Sequence, residues 1–137
     1  MENRFEWSAL VLRIVVGLTF AIHGVAKFQM GLENVAGFFG TLGLPAFIAY
    51  LVAFLEVVGG IALIAGLGTR VFSAALAVVM IGAVAKAKLA AGFMGGESGA
   101  GYELELALFA ILLALSISGS SKFGLDQILF GKRSGKV

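Results

Sequence analysis

Seven ionisable side chains lie within or beside long apolar segments of this chain, where a charge needs a partner or a ligand. The cations are Arg13, Lys27, Lys86 and Lys88, and the carboxylates are Glu56, Glu103 and Glu105. Placing one charged side chain in a bilayer costs about 2.5–3.5 kcal/mol. These groups are therefore predicted to pair across helices or to border a wet cavity.

The first apolar segment, residues 7–28, carries its polar groups on one side. On a helix that turns about 100° per residue, a single narrow stripe contains Arg13, Gly17, Phe20, Gly24 and Lys27, with His23 at its edge. The opposite face consists of Leu, Ile and Val. The polar stripe is therefore predicted to face protein, water or a ligand, and the apolar face to contact lipid.

Glu56, near the middle of the second apolar segment, is the expected counter-ion for a cation of the first segment. Counting residues from the segment ends places Arg13 and Glu56 within a turn or two of each other near mid-bilayer. The same count places Lys27, Lys88 and Glu103 at the outer mouth. A salt bridge that only holds helices together would explain Arg13 and Glu56 equally well, so both interpretations stay open.

The last apolar segment offers two carboxylates on different faces. Glu103 shares a face with Ala107, Ala110 and Ala114, a small-residue pattern typical of helix contacts. Glu105 points about 200° away from Glu103. Glu103 is therefore predicted to face inward.

The composition defines the class of protein. Of the 137 residues, 60% are apolar and 13% are charged, whereas soluble domains carry about 25% charged residues. Four apolar segments approach spanning length, at about 7–28, 46–67, 71–91 and 102–118. We therefore predict an all-α, polytopic membrane protein with a single domain, a four-transmembrane-helix bundle.

The connecting segments and the distribution of basic residues complete the predicted topology. Residues 29–45 suit a short amphipathic or re-entrant piece, with a flexible loop as the alternative. Residues 119–137 form a basic tail. More positive charges gather on the side of the two termini, so the positive-inside rule places both termini in the cytoplasm of a multi-pass protein of the cell membrane.

Several kinds of chemistry lack the residues they need. The sequence has no cysteine and one histidine, which excludes disulfides, thiol redox chemistry and cysteine-ligated metal clusters. No metal-ligand spacing, phosphate-binding glycine pattern or Ser-His-Asp arrangement is present, and nucleic acid binding is not expected. Any redox role therefore needs a borrowed cofactor, none being bound covalently, and an electron-carrying partner.

Three motifs point to a known family. They are Arg13-x3-Gly17-x2-Phe20-x3-Gly24-x2-Lys27, Leu55-Glu56 followed by Gly59-Gly60, and Gly66-Leu67-Gly68-Thr69-Arg70. In these motifs the chain resembles the DoxX family of small four-helix membrane proteins. Gly92-Phe93, Tyr102-Glu103-Leu104 and Leu125-Asp126 extend the likeness over nearly the whole chain, although Lys88 stands where many relatives carry a histidine. The resemblance implies a membrane location and a link to quinone redox chemistry, and it includes Bacillus-type members described as oxidoreductases near catechol and hydroquinone stress genes.

The leading functional prediction is an oxidoreductase component that binds a quinone, such as menaquinone, a hydroquinone or a similar lipophilic aromatic compound in an intramembrane polar pocket. The candidate proton-transfer groups are His23, Glu56 and Glu103, and the candidate ligand-binding groups are Arg13, Phe20, Lys27 and Lys88. The expected partners are membrane lipid and a soluble redox protein, and the small-residue faces leave a homo-oligomer open. The alternatives are a membrane anchor that recruits soluble redox enzymes and a small transporter of toxic aromatics or ions.

Overall fold

The computed structural model describes residues 2–88, 92–96, 99–119 and 124–125. Its elements are the helices α1 (Glu2–Met30), α2 (Leu32–Thr41), α3 (Ala46–Ala65) and α4 (Thr69–Ala83), a π-helical turn (Val84–Lys88), the strands β1 (Gly95–Gly96) and β2 (Gly99–Ala100), and helix α5 (Glu103–Ser118). The predicted all-α class is confirmed. The predicted basic tail, apart from residues 119 and 124–125, lies outside the described residues.

Three helical stretches in the described part of the chain are long and apolar enough to cross a membrane. They are Arg4–Met30, Ala46–Ala65 and Thr69–Lys86. Helix α5 has 16 residues, which corresponds to about 24 Å against a hydrocarbon core of about 30 Å. The protein is therefore a helical membrane protein, and its fourth span stays a prediction.

Helix ends differ from the predicted segment ends because hydropathy marks the membrane, whereas backbone hydrogen bonding marks the helix. Helix α1 continues at both ends beyond the predicted residues 7–28. It stops at Gly31, which has φ +95°, and the next segment folds as the short helix α2. The amphipathic or re-entrant placement of this segment stays a prediction. Helix α3 starts after Pro45 and ends at Gly66, whose left-handed conformation closes the helix.

Helices α1 and α3 are antiparallel and meet through glycine. A Cβ on Gly60 would lie 2.5 Å from the carbonyl oxygen of Gly17, and a Cβ on Gly24 would lie 3.1 Å from the carbonyl oxygen of Ala53. Gly17 and Gly24 both lie within the predicted polar stripe of α1. We call this contact between α1 and α3 the seam. Small residues at such a contact let two membrane helices approach closely and gain van der Waals contact.

The core lies where the seam meets α4 and α5. Its buried members are Val16, Phe20, Leu63, Leu76, Ala77, Met80, Leu108 and Leu112. The turn at residues 66–68 reverses the chain from α3 into α4. Arg70 at the start of α4 lies beside Gly119 at the end of α5, so α5 runs antiparallel to α4.

The surface outside the core is strongly apolar. On α1 the exposed residues are Val11, Ile14, Val15, Leu18, Ile22 and Val25, and on α3 they include Leu51, Phe54, Val58 and Ile61. In water such faces would promote association, but in a bilayer they contact lipid chains. The predicted apolar face of α1 is therefore the exposed one.

Candidate functional site

A partly buried ion pair joins the two helices of the seam. The Nζ atom of Lys27 lies 2.6 Å from Oε1 of Glu56, and the two side chains are 19% and 5% exposed. The pair is hydrogen-bonded as well as charged, since the ammonium group donates to the carboxylate. The sequence-based prediction that a cation of the first segment neutralises Glu56 is confirmed, with Lys27 as that cation.

The direction in which helical side chains lean explains this choice of partner. Gly24 lies level with the turn of α3 around Glu56, since a Cβ on Gly24 would lie 2.8 Å from the backbone nitrogen of Val57. Lys27, three residues further along α1, therefore sits beyond Glu56 by about one turn along the seam. Side chains on a helix lean toward its N-terminus. Because α1 and α3 are antiparallel, the side chains of Lys27 and Glu56 lean toward each other and close the gap.

Arg13 has a different environment from the one predicted. Its side chain is fully buried, and its Nε donates a hydrogen bond of 3.0 Å to the carbonyl oxygen of Leu63. Leu63 is seven residues from Glu56 on α3, or about 10 Å along the helix. The predicted proximity of Arg13 and Glu56 is therefore wrong, because the seam register places Arg13 at the end of α3.

This contact gives Arg13 a role in closing α3. The last four carbonyl groups of a helix lack partners within it, and a cation there also interacts favourably with the helix dipole. Leu63 carries one of these carbonyls, which accepts a hydrogen bond of 3.1 Å from the backbone N–H of Gly66 as well as the bond from Arg13. Gly66 leaves room for the guanidinium, since a Cβ at Gly66 would lie 3.0 Å from Cζ of Arg13. Arg13 thus ties α1 to the C-terminal end of α3.

His23 lies one helical turn before Lys27 and is exposed. Its Nδ1 is 2.7 Å from the carbonyl oxygen of Thr19. A carbonyl oxygen can only accept, so Nδ1 carries the proton and donates. The hydroxyl group of Thr19 donates in turn to the carbonyl oxygen of Val15 at 2.8 Å. Only the backbone carbonyl of Thr19 contacts the ring, so the residue type at position 19 gives no sequence signal for this contact.

The two carboxylates of α5 occupy faces opposite to the predicted ones. Glu103 is exposed, as are Ala107, Ala110 and Ala114, whereas Glu105 is 9% exposed and shares the buried face with the core residues Leu108 and Leu112. The prediction that Glu103 faces inward is wrong. The core of this protein packs against the leucine face of α5, so the small residues were a misleading guide.

The other residues predicted to bind a ligand are Phe20 and Lys88, and the remaining cation of the apolar segments is Lys86. Phe20 is 2% exposed and packs in the core. Lys86 is exposed. The backbone of Lys88 belongs to the π-helical turn, but its side chain lies outside the described part.

Aromatic and concave surfaces lie in two other places. The rings of Phe28 and Phe54 meet edge to face, with centroids 5.2 Å apart, at the same end of the seam as Lys27. A shallow surface groove of about 400 Å³ is lined by Trp7, Ser8, Val11 and Leu12. On α1 this groove is at least 15 residues, or about 22 Å, from Lys27, so it is separate from the ion pair.

The ion pair and His23 provide charged and hydrogen-bonding groups. The described residues contain no group of three or more His, Cys, Asp or Glu side chains that could hold a metal ion. The ammonium group of Lys27 has three N–H donors, one of which bonds Glu56. The ion pair and the nearby imidazole of His23 can therefore offer both donors and an acceptor to a polar ligand group that arrives through the lipid-facing surface.

Comparison with known proteins gives a consistent set of relatives. A family model described as DoxX matches residues 8–89. A Bacillus subtilis (strain 168) protein named "Putative oxidoreductase CatD" is 42% identical over 100% of this chain and 98% of its own length. An uncharacterized membrane protein of Mycobacterium tuberculosis (strain ATCC 25618 / H37Rv) is 34% identical over 89% of this chain and 81% of its own length. An uncharacterized protein of Haemophilus influenzae (strain ATCC 51907 / DSM 11121 / KW20 / Rd) is 34% identical over 96% of this chain and 98% of its own length. No solved structure matches significantly.

Proposed function

The chain belongs to the DoxX family, and we propose that it is a component of a quinone-linked membrane oxidoreductase. The ion pair of Lys27 and Glu56 is the proposed binding centre. Its ligand is a lipophilic aromatic carbonyl compound of the quinone class, such as menaquinone. The observation that carries the proposal is this hydrogen-bonded ion pair between two helices that are long and apolar enough to cross a membrane.

The chemistry of the pair suits a quinone oxygen. A quinone gains two electrons and two protons to become a hydroquinone, so negative charge develops on its oxygens as electrons arrive. A fixed cation beside such an oxygen stabilises that charge most strongly where water is excluded. Glu56 keeps the ammonium group of Lys27 oriented, and carboxylates and imidazoles can both relay protons.

The surroundings of the pair also favour an aromatic ligand. The edge-to-face rings of Phe28 and Phe54 lie on the seam near the pair, and pockets for small ligands combine such apolar walls with a few polar groups. The word "oxidoreductase" in the name of the Bacillus subtilis relative supports the same reaction class.

The proposal needs a partner for the electrons. The sequence has no cysteine, and we propose that a soluble redox protein supplies or removes electrons at the membrane surface. We further propose a multi-pass protein of the cell membrane in which α5 is the fourth span and both termini are cytoplasmic. The exposed Arg4 and Arg70 on the side of the termini support this orientation.

Quinone binding to matched charge variants tests the proposal. Purified protein in mild detergent is incubated with menaquinone, and the quinone retained is extracted and measured by mass spectrometry. Lys27→Met and Glu56→Gln should lower the retained quinone at least tenfold. Lys86→Met and Glu33→Gln remove exposed charges and should retain the wild-type amount.

The outcomes distinguish an error in the proposed binding site from an error in the proposed function. Folded Lys27→Met protein that retains the full amount of quinone would show that the pair is not the binding centre. Wild-type protein that retains no quinone, even after addition of excess, would contradict the proposed function as a whole.

A further inference from the structure

We propose that this site selects the reduced, hydroxyl-bearing form of its ligand, a hydroquinone or another lipophilic phenol, through Nε2 of His23. The inference rests on the proposed function and adds a preference between the two redox forms. It differs from the sequence-based expectation, in which His23 is a candidate proton-transfer group.

The bond to Thr19 determines what His23 can offer. Nδ1 donates to the carbonyl oxygen of Thr19 at 2.7 Å, which fixes the tautomer of the neutral ring. In that tautomer Nε2 carries a lone pair and can only accept a hydrogen bond. No side chain or backbone group among the described residues bonds Nε2.

The position of the ring makes this acceptor significant. His23 is exposed on α1, a helix with the length and composition of a membrane span, and its neighbour Ile22 is 58% exposed. An acceptor without a partner is unfavourable in an apolar environment. A lipophilic molecule with an O–H group relieves that cost, because it reaches the ring through the lipid and donates to Nε2.

Lys27 supplies the complementary group. His23 and Lys27 are four residues apart on α1, so their Cβ atoms lie about 5–6 Å apart on one face. The ammonium group of Lys27 donates to a carbonyl and to a hydroxyl oxygen alike. Nε2 of His23 bonds only a hydroxyl hydrogen and opposes a carbonyl oxygen, so His23 distinguishes the two forms and Lys27 does not.

One hydrogen bond sets the size of the effect. The net contribution of a typical hydrogen bond corresponds to roughly a 2- to 12-fold difference in affinity. A stable probe pair that differs only in this donor is 1-naphthol and 1-methoxynaphthalene. The wild-type protein should bind 1-naphthol roughly 2- to 12-fold more tightly than 1-methoxynaphthalene.

The experiment uses the full chain in lipid nanodiscs, with empty nanodiscs to subtract partitioning into lipid. His23→Phe should bind both probes equally, whereas His23→Gln, whose side-chain oxygen accepts, should restore part of the preference. Thr19→Val is the matched control, because it removes the Thr19 hydroxyl but keeps the carbonyl that holds Nδ1. It should preserve the preference, and thermal unfolding of each variant reports its folding.

Three outcomes would overturn the inference. Equal binding of the two probes by the wild type, while menaquinone still binds, would refute the preference and leave the proposed function intact. An unchanged preference in folded His23→Phe would assign the discrimination to another group. Binding of neither probe nor menaquinone would overturn the proposed function together with this inference.

Discussion

Gly17 of α1 and Gly60 of α3 are in direct backbone contact. A Cβ added to either residue would lie 2.5 Å from the carbonyl oxygen of the other, a distance that neither backbone can absorb without moving. This contact fixes the separation and register of the two helices that carry Lys27 and Glu56. The geometry of the ion pair therefore depends on two residues that have no side chain.

Gly60→Ala should destabilise the protein by roughly 1–3 kcal/mol, the usual cost of overpacking a tight interface. Gly82→Ala is the matched control, because a Cβ there meets nothing within 4 Å and alanine favours the helix by about 0.5–1 kcal/mol. Chemical unfolding in mixed micelles measures both variants. Equal stability of the two variants would show that the seam is looser than the structure describes.

Arg13→Met should destabilise the protein by about 1.5–3 kcal/mol, the range for a hydrogen bond to a charged group, because α3 loses the bond at Leu63. Arg4→Met removes an exposed charge from the same helix and should change stability by less than about 0.5 kcal/mol. Thermal unfolding and quinone retention are measured together. Normal stability with lost quinone binding in Arg13→Met would instead support the ligand-binding role predicted from the sequence.

The sequence predicted the faces of α1 correctly because a long helix with few polar residues leaves little choice. Arg13, Gly17, Phe20 and Gly24 are all buried, and Lys27 is partly buried, as the 100° periodicity requires. The choice of counter-ion for Glu56 could not be predicted in this way. It depends on the register between two helices, which the glycine contacts set, and counting from segment ends carries an error of more than one turn.

The prediction of which face of α5 is buried was wrong for a different reason. Its small residues and its leucines form two competing faces, and both are plausible contact faces in a membrane. The core has bulky partners, Leu76 and Met80, in α4, and these fill space against leucine rather than alanine. The burial of Glu105 can therefore be predicted only when the α4 residues that pack against α5 are known.

Glu105→Gln should therefore affect the protein more than Glu103→Gln. Glu105 is 9% exposed, and altering a buried hydrogen-bonding group costs about 1–3 kcal/mol. Glu103 is exposed on the same helix only two residues away, so it is a closely matched control with an expected change below about 0.5 kcal/mol. The unfolding midpoints of the two variants decide between the faces, and a larger loss for Glu103→Gln would reverse the assignment of the buried face.

Removing either charge of the pair should lower the stability of the protein. Lys27→Met leaves a buried carboxylate without its partner, and breaking a buried pair in this way costs about 3–5 kcal/mol. Glu56→Gln removes the opposite charge and leaves the ammonium group of Lys27 with a weaker, neutral acceptor. Both single variants should therefore unfold at lower temperature than the wild type.

The double variant Lys27→Glu with Glu56→Lys restores opposite charges across the seam. Because both side chains lean toward each other in antiparallel helices, the reversed pair should recover part of the lost stability, with a coupling energy of about 0.5–3 kcal/mol. Unfolding of the wild type, of the single exchanges Lys27→Glu and Glu56→Lys, and of the double variant gives this energy directly. Additive losses would show that Lys27 and Glu56 act independently. Recovered stability without recovered quinone binding would show that the ligand requires the ammonium group on α1 rather than a charge pair of either polarity.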